Sequence, residues 1–202
     1  MDAIGEVLSS SITAFTAESW SENELTDSAK MPQFGSFLKS ISESREICVY
    51  AVIYDIVRAP IDQHHKPTAL KMSRAELKRE QPQIFSLLKT EWHTLIIGYK
   101  QGNQVQNGLP PFPPEVHDFV APLDKSELLR LTENLDFLRM LSAISKVPTD
   151  EILAASIKNA ASARDDEYDY LVEAGQYVSR MLRDDYDRLA SVLRKISPSP
   201  QS

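Results

Sequence analysis

Apolar positions along the first 120 residues come in short runs divided by polar turns; from Asp124 onward they recur every three or four residues. A period of two is that of a strand and one of 3.6 that of a helix, so the pattern predicts β structure followed by helices. Ala3 to Ser9 is a short mixed run, and Ser9-Ser10-Ser11 reads as a turn. Ile12-Thr13-Ala14-Phe15-Thr16-Ala17 alternates as a strand does, and Ser19 to Met31 reads as a polar loop. Gln33 to Ile41 is the next strand candidate, with Gly35 marking a bulge or a close backbone approach. After a turn at Ser42-Glu43-Ser44, Arg45 to Val57 is the most apolar run in this half. Its even and odd positions are both largely apolar, so both faces are expected to be covered. Short strands joined by short turns predict a small closed barrel without exposed edges.

Pro60 to Met72 reads as loop. Ser73-Arg74-Ala75-Glu76 fits a capping box opening a short helix to about Gln81, and Pro82 suits the first turn of a second one through Lys89. Strand character returns from Trp92 to Tyr99. Gln101 to Pro114, with Gly102, Asn107-Gly108 and four prolines, excludes helix and inner strand; Val116 to Val120 is the expected final strand. Asp124 and Glu127 form a second capping signal, and Leu128, Leu131, Leu135, Leu138 and Leu141 predict one amphipathic helix to about Ser145. Pro148-Thr149-Asp150 restarts a helix. The last is expected from Glu167 to Ile196, with Gly175 at a close helix crossing. The fold class expected is therefore α+β: a barrel over residues 1–123 with helices inserted near 73–89, a helical region over 124–196 and a disordered tail over 197–202.

Composition narrows the function classes. The chain has 202 residues, 42% hydrophobic and 25% charged, and a single cysteine, Cys48, inside an apolar run. No internal disulfide is possible, and a buried thiol there acts as a small hydrophobe. Met1 to Glu6 has neither a basic nor an apolar leader pattern, and the longest apolar runs are too short to span a bilayer, so a cytoplasmic protein is expected. Net charge is −7. Residues 1–123 carry 11 basic and 15 acidic side chains and residues 124–202 carry 11 and 14, so neither part is basic. Autonomous nucleic-acid binding, which needs a cationic face, is disfavoured.

Candidate chemistry is sparse. The six glycines form neither GxxxxGK[ST] nor GxGxxG, which excludes a P-loop and a Rossmann cofactor site. No cofactor is expected. His64, His65, His93 and His117 stand in no metal-ligand spacing, and Glu91 near His93 is a pair without a third partner. Asp165, Asp166, Glu167 and Asp169 suit a helix start; Asp184, Asp185 and Asp187, with Arg180, Arg183 and Arg188 nearby, read as a solvated helix face whose neighbours point about 100° apart. No catalytic, cofactor-binding or metal residue is therefore assigned. Tyr168, Tyr170, Tyr177 and Tyr186 either cap the helical core or anchor an interface.

Ile4-Gly5-Glu6-Val7-Leu8-Ser9-Ser10-Ser11 and Phe15-Thr16-Ala17 resemble the start of the HAS-barrel domain, as do Phe34-Gly35-Ser36-Phe37-Leu38 and Val49-Tyr50-Ala51-Val52-Ile53-Tyr54-Asp55-Ile56. That barrel is shared by HerA-class DNA-translocating ATPases and by ring subunits of rotary ATP synthases. There a RecA-like ATPase domain follows; here only helices follow residue 124, so no catalytic residue carries over. The layout looks like the stand-alone HAS-barrel proteins of cyanobacteria. In the ATPases the barrels form a collar, and the HerA class docks a nuclease at that end. The resemblance implies a protein-interaction or assembly role, as a regulator or docking factor for a larger complex such as a ring ATPase, with self-association permitted. The alternatives are an accessory subunit in DNA processing and, weakest, a hydrolase using the carboxylates and histidines.

Overall fold

A computed structural model describes residues 3–20, 31–42, 46–61 and 68–197. Glu43 and Ser44 of the expected turn, the pair His64-His65, most of the loop from Ser19 to Met31 and the tail beyond Ser197 fall on residues outside these ranges, while Ser42 ends a strand.

The β strands are β1 (Gly5–Ser10), β2 (Ala14–Ser19), β3 (Phe37–Ser42), β4 (Ile47–Pro60), β5 (Leu88–Gln101), β6 (Gln104–Asn107) and β7 (Phe119–Pro122). All pairings are antiparallel in the order β2-β1-β7-β3-β4-β5-β6, and β2 also pairs with β5, which closes six strands into a barrel and leaves β6 as an extra strand. The first strand runs through Ser9 and Ser10, where a turn was expected. The serine run yields because β1 pairs with β2 as far as Ser10↔Phe15. The final strand begins at Phe119 rather than Val116, because His117 has φ +72°, which an extended strand does not accommodate.

β4 explains the barrel's attachment to the rest of the chain. Val49, Ala51 and Ile53 turn into the barrel with Val7, Phe15, Leu38, Trp92, Ile96 and Val120. Tyr50, Val52 and Tyr54 turn outward, with Phe37 and Ile97, into a second core built from the helices. The two-sided apolar pattern of this strand thus has two covers.

The inserted helices are α1 (Arg74–Glu80) and α2 (Gln83–Ser86). Ser73 and Glu76 make the expected capping box. The second helix stops at Ser86 rather than Lys89, because β5 starts at Leu88 and its backbone is claimed by pairing with Pro60 and Ala59. Then come α3 (Lys125–Leu131), α4 (Phe137–Ser142), α5 (Thr149–Ala161), α6 (Glu167–Met181) and α7 (Tyr186–Ile196).

Two long helices expected from leucine spacing are each broken. Between α3 and α4, Thr132 Oγ1 donates to the Leu128 carbonyl at 2.6 Å and the Asp136 amide donates to Asn134 Oδ1 at 2.9 Å. These side chains compete with the helical ladder for backbone groups. Between α6 and α7, Asp185 caps a new helix by accepting from the Arg188 amide. The break lets α7 fold back against α5, where Lys195 and Ser191 both donate to Asp150. At Gly175 a β-carbon would sit 3.3 Å from Leu193 Cδ2, the close crossing expected of it.

Candidate docking surface

The barrel interior is filled. Trp92, Leu38, Ile53 and Ile96 are fully buried there, so the barrel holds side chains rather than an open chamber. Surface chemistry is then what remains to be placed.

At the barrel end that carries the β1–β2 hairpin, the proline-rich segment lies alongside β1. Val7 donates its amide to the Asp118 carbonyl, His117 donates to the Val7 carbonyl, and Ser10 Oγ donates to the Pro114 carbonyl at 2.6 Å. These bonds seat the stretch from Pro114 to Asp118 alongside β1 as a rim, and Leu8, Ile12, Leu109, Phe112 and Val116 in β1, the hairpin and this segment are exposed, Phe112 by 53% and Val116 by 54%. Phe112, Pro113 and Pro114 also close a small hollow over Ser40, Ile47 and Val49. Prolines keep this segment out of the sheet.

A groove of about 650 Å³ runs between β6 and the α3–α4 connection, walled by Val105, Asn107 and Gly108 on one side and by Arg130, Glu133, Asn134, Asp136, Arg139 and Met140 on the other. Through Arg130 and Glu133 it continues into a hollow of about 350 Å³ beside Arg164, Asp166, Asp169, Tyr170 and Glu173. The arginines are engaged within the fold. Arg164 donates to the Ala160 carbonyl and to Thr132 Oγ1 and lies 3.7 Å from the Tyr170 ring centroid. Arg139 donates to the Tyr177 hydroxyl at 3.2 Å. Tyr177 in turn donates to Asp136, and that bond with one from Asn134 holds the Asp136 carboxyl below its usual range.

At the opposite barrel end a cleft of about 540 Å³ gathers Arg58, Arg74, Lys78 and Lys89 with Trp20, Phe85 and Glu18. Arg74 and Lys78 both stand over the Phe85 ring.

The remaining candidates are dispersed. His93 Nε2 stands 3.8 Å from Glu91, which also takes an ion pair from Lys89 at 2.6 Å, a ladder on the outer face of β5. His117 Nδ1 is 3.1 Å from Glu6 Oε2, far from that ladder in the chain and 77% exposed at its side chain. Asp165 pairs with Lys125, and Asp184 with Arg183. Asp184 and Asp185 lie in the break between α6 and α7, so the helical angle that was expected to separate them does not apply. Among the described residues no three of His, Cys, Asp and Glu gather to hold a metal ion. Tyr170 is buried and donates to the Thr132 carbonyl, and burial raises its hydroxyl to about 12; Tyr168 and Tyr186 are exposed. Burial likewise pushes the Cys48 thiol up to about 12.

One buried charge pair ties the two halves together. Lys39 on β3 donates to Glu127, the third residue of α3, whose other oxygen is 3.5 Å from the Tyr50 hydroxyl. Glu127 also completes the capping box with Asp124. Sequence reasoning saw the box and missed the ion pair, because Lys39 is 88 residues away. It missed β6 as well, since Gln-Val-Gln-Asn offers a single apolar residue. The rim had left a signal: Leu109 and Phe112 sit among prolines that exclude them from a core strand.

Among the described residues no helix is long and apolar enough to cross a membrane. Compared with known proteins, the chain matches no family model and no curated protein.

Proposed function

We propose that this chain is a non-enzymatic docking module, an assembly or regulatory factor for a larger protein complex such as a ring ATPase, built on a HAS-type barrel. The observation that carries the reading is the rim formed by β1 and the proline-rich segment bonded alongside it, which leaves Leu8, Phe112 and Val116 exposed, with Ile12 and Leu109 exposed in the adjoining hairpin and segment. Apolar groups scattered singly on a surface need no explanation, but a contiguous set marks a contact site. The HAS-type reading is supported by six antiparallel strands closing a barrel, with the resembling residues falling on β1, on β2, at the start of β3 and on β4. The occupant of the rim is a protein partner with an apolar face. It buries Phe112 and Val116 as anchors, which polar or charged ligands would not reward.

The test compares wild type with a Phe112→Ser/Val116→Ser variant as bait in native extract, after both are shown folded by circular dichroism. The expected result is a stoichiometric protein retained by wild type and lost by the variant. Equal recovery on both baits, or no stoichiometric protein on either, overturns the reading. Dimerisation of purified wild type that the variant abolishes reassigns the rim to a second copy of the chain.

A further inference from the structure

β6 is the one strand of the described sheet with a neighbour on a single side. Its register against β5 is Gln101↔Gln104, Tyr99↔Gln106 and Gly98↔Asn107, and Gly108 donates its amide to the Ile97 carbonyl at 3.0 Å. In an antiparallel ladder, hydrogen-bonded pairs alternate with non-bonded ones. Since Gly108 bonds to Ile97, the inward-bonding residues are Gln106 and Gln104, and those whose amides and carbonyls point away from β5 are Val105 and Asn107. Among the described residues neither backbone has another partner. Asn107 Oδ1 is buried and also unpartnered. These groups border the groove beside α3 and α4.

The charge along the groove selects what enters. The groove beside β6 is lined by Arg130 and Arg139 against Glu133 and Asp136, and the adjoining hollow adds Arg164 against Asp166, Asp169 and Glu173, so carboxylates outnumber guanidiniums five to three; Glu133, Asp166, Asp169 and Glu173 have no ion pair among the described residues. A strand laid on the β6 edge would run from a groove of balanced charge toward a hollow in which carboxylates are in excess. We infer that β6 and the adjoining groove form a strand-addition site for an extended, lysine- or arginine-bearing segment of a partner protein. The inference rests on the docking reading above but names a different surface. Main-chain bonds to Val105 and Asn107 supply the affinity that is independent of sequence, and Glu133, Asp166, Asp169 and Glu173 supply the preference for cations.

The test is selection of a displayed library of random 12-residue peptides on the full chain, followed by affinity measurement on synthesised winners. The expected winners alternate β-branched residues and carry two or more Lys or Arg. Val105→Pro, which removes one edge amide and is tolerated on an edge strand, is expected to weaken them at least tenfold. Asp166→Asn/Asp169→Asn, which leaves the backbone untouched, is expected to weaken them several-fold and to flatten their salt dependence. Protection of the Val105 and Asn107 amides from hydrogen exchange should accompany binding. No enriched peptide, acidic winners, or winners indifferent to both variants overturns the inference. Dimerisation of the free chain that Val105→Pro abolishes also overturns it, in favour of edge pairing between two copies. Failure here with loss of partner in the Phe112→Ser/Val116→Ser bait leaves the rim reading standing, so the two fail separately.

Discussion

Gly35 sits in the turn before β3 with φ +79°, and a β-carbon there would lie 2.6 Å from Ala155 Cβ and 2.9 Å from the Ala155 carbonyl carbon on α5. The turn cannot retreat, because the Gly35 amide donates to the Ile53 carbonyl at 2.8 Å and the Ile53 amide donates back to Ser36. Gly35→Ala therefore incurs two costs. The left-handed backbone costs about 1–2 kcal/mol for any residue with a β-carbon. Pushing α5 off the barrel costs about 1–3 kcal/mol more, as overpacking does. The sum is about 2–5 kcal/mol, or a Tm lower by roughly 5–15 °C for a chain of this size. Gly102→Ala is the control: it has φ +59° and nothing within 4 Å of the added carbon, so it should incur only the backbone cost. Urea unfolding followed by far-ultraviolet circular dichroism and by tryptophan fluorescence measures both variants. Adding Ala155→Gly to Gly35→Ala removes the 2.6 Å contact, and the pair should be less destabilised than the sum of the singles by about 1 kcal/mol. If Gly35→Ala costs no more than Gly102→Ala, the seating of α5 on the β3 turn is refuted.

Glu127→Ala should lower stability by about 3 kcal/mol, because it strands the largely buried Lys39 ammonium and opens the α3 capping box; urea midpoints that shift less than those of Glu76→Ala, an exposed box, contradict this. Bonds from Lys195 and then Ser191 lower the Asp150 carboxyl to about 2, so its stabilisation is complete above its ordinary 3.8 and is lost as pH falls through about 2. Solvent screening near the surface reduces this to about 1 kcal/mol, and Asp150→Asn should remove that part of the acid limb in a pH series of melting curves. With its thiol raised to about 12, Cys48 should react with iodoacetamide at pH 8 at least about 100-fold more slowly in the native chain than in urea; equal rates would mean the thiol is open.

What the sequence disclosed follows the range of the physics involved. Both capping boxes were legible because the serine or aspartate and the glutamate that satisfies it stand three residues apart. The two covered faces of β4 were legible because burial on both sides leaves no polar alternation to write. The helix breaks were not. Leu131 and Leu135, or Met181 and Leu189, keep helical spacing across each interruption, and the groups that stop the helix at Thr132 and Asp185 are ordinary helix-surface residues until the Leu128 carbonyl or the Arg188 amide is placed beside them. The edge strand and the groove were illegible for a related reason. Their walls join residues 105–108 to residues 130–140 and 164–173, a meeting set by how α3 lands on β6 and α4 on β5 and not by any local pattern.

Among the described residues, helices α3 to α7 pack on the barrel's β3, β4, β5 and β6 side, through Phe37, Tyr50, Val52, Tyr54, Ile97 and Val105. On the barrel's other side β1 presents Leu8 to solvent. The chain itself links the two proposed contact sites: Val105, Asn107 and Gly108 wall the groove, and Leu109 begins the rim that continues to Phe112 and Val116. A single partner crossing both would meet an apolar contact whose strength does not depend on salt and an acidic one whose strength does. Phe112→Ser/Val116→Ser should then weaken that complex equally at all ionic strengths, whereas Asp166→Asn/Asp169→Asn should weaken it at low salt and converge with wild type at high salt. Two partners, one for each surface, would instead leave each variant's defect confined to its own ligand.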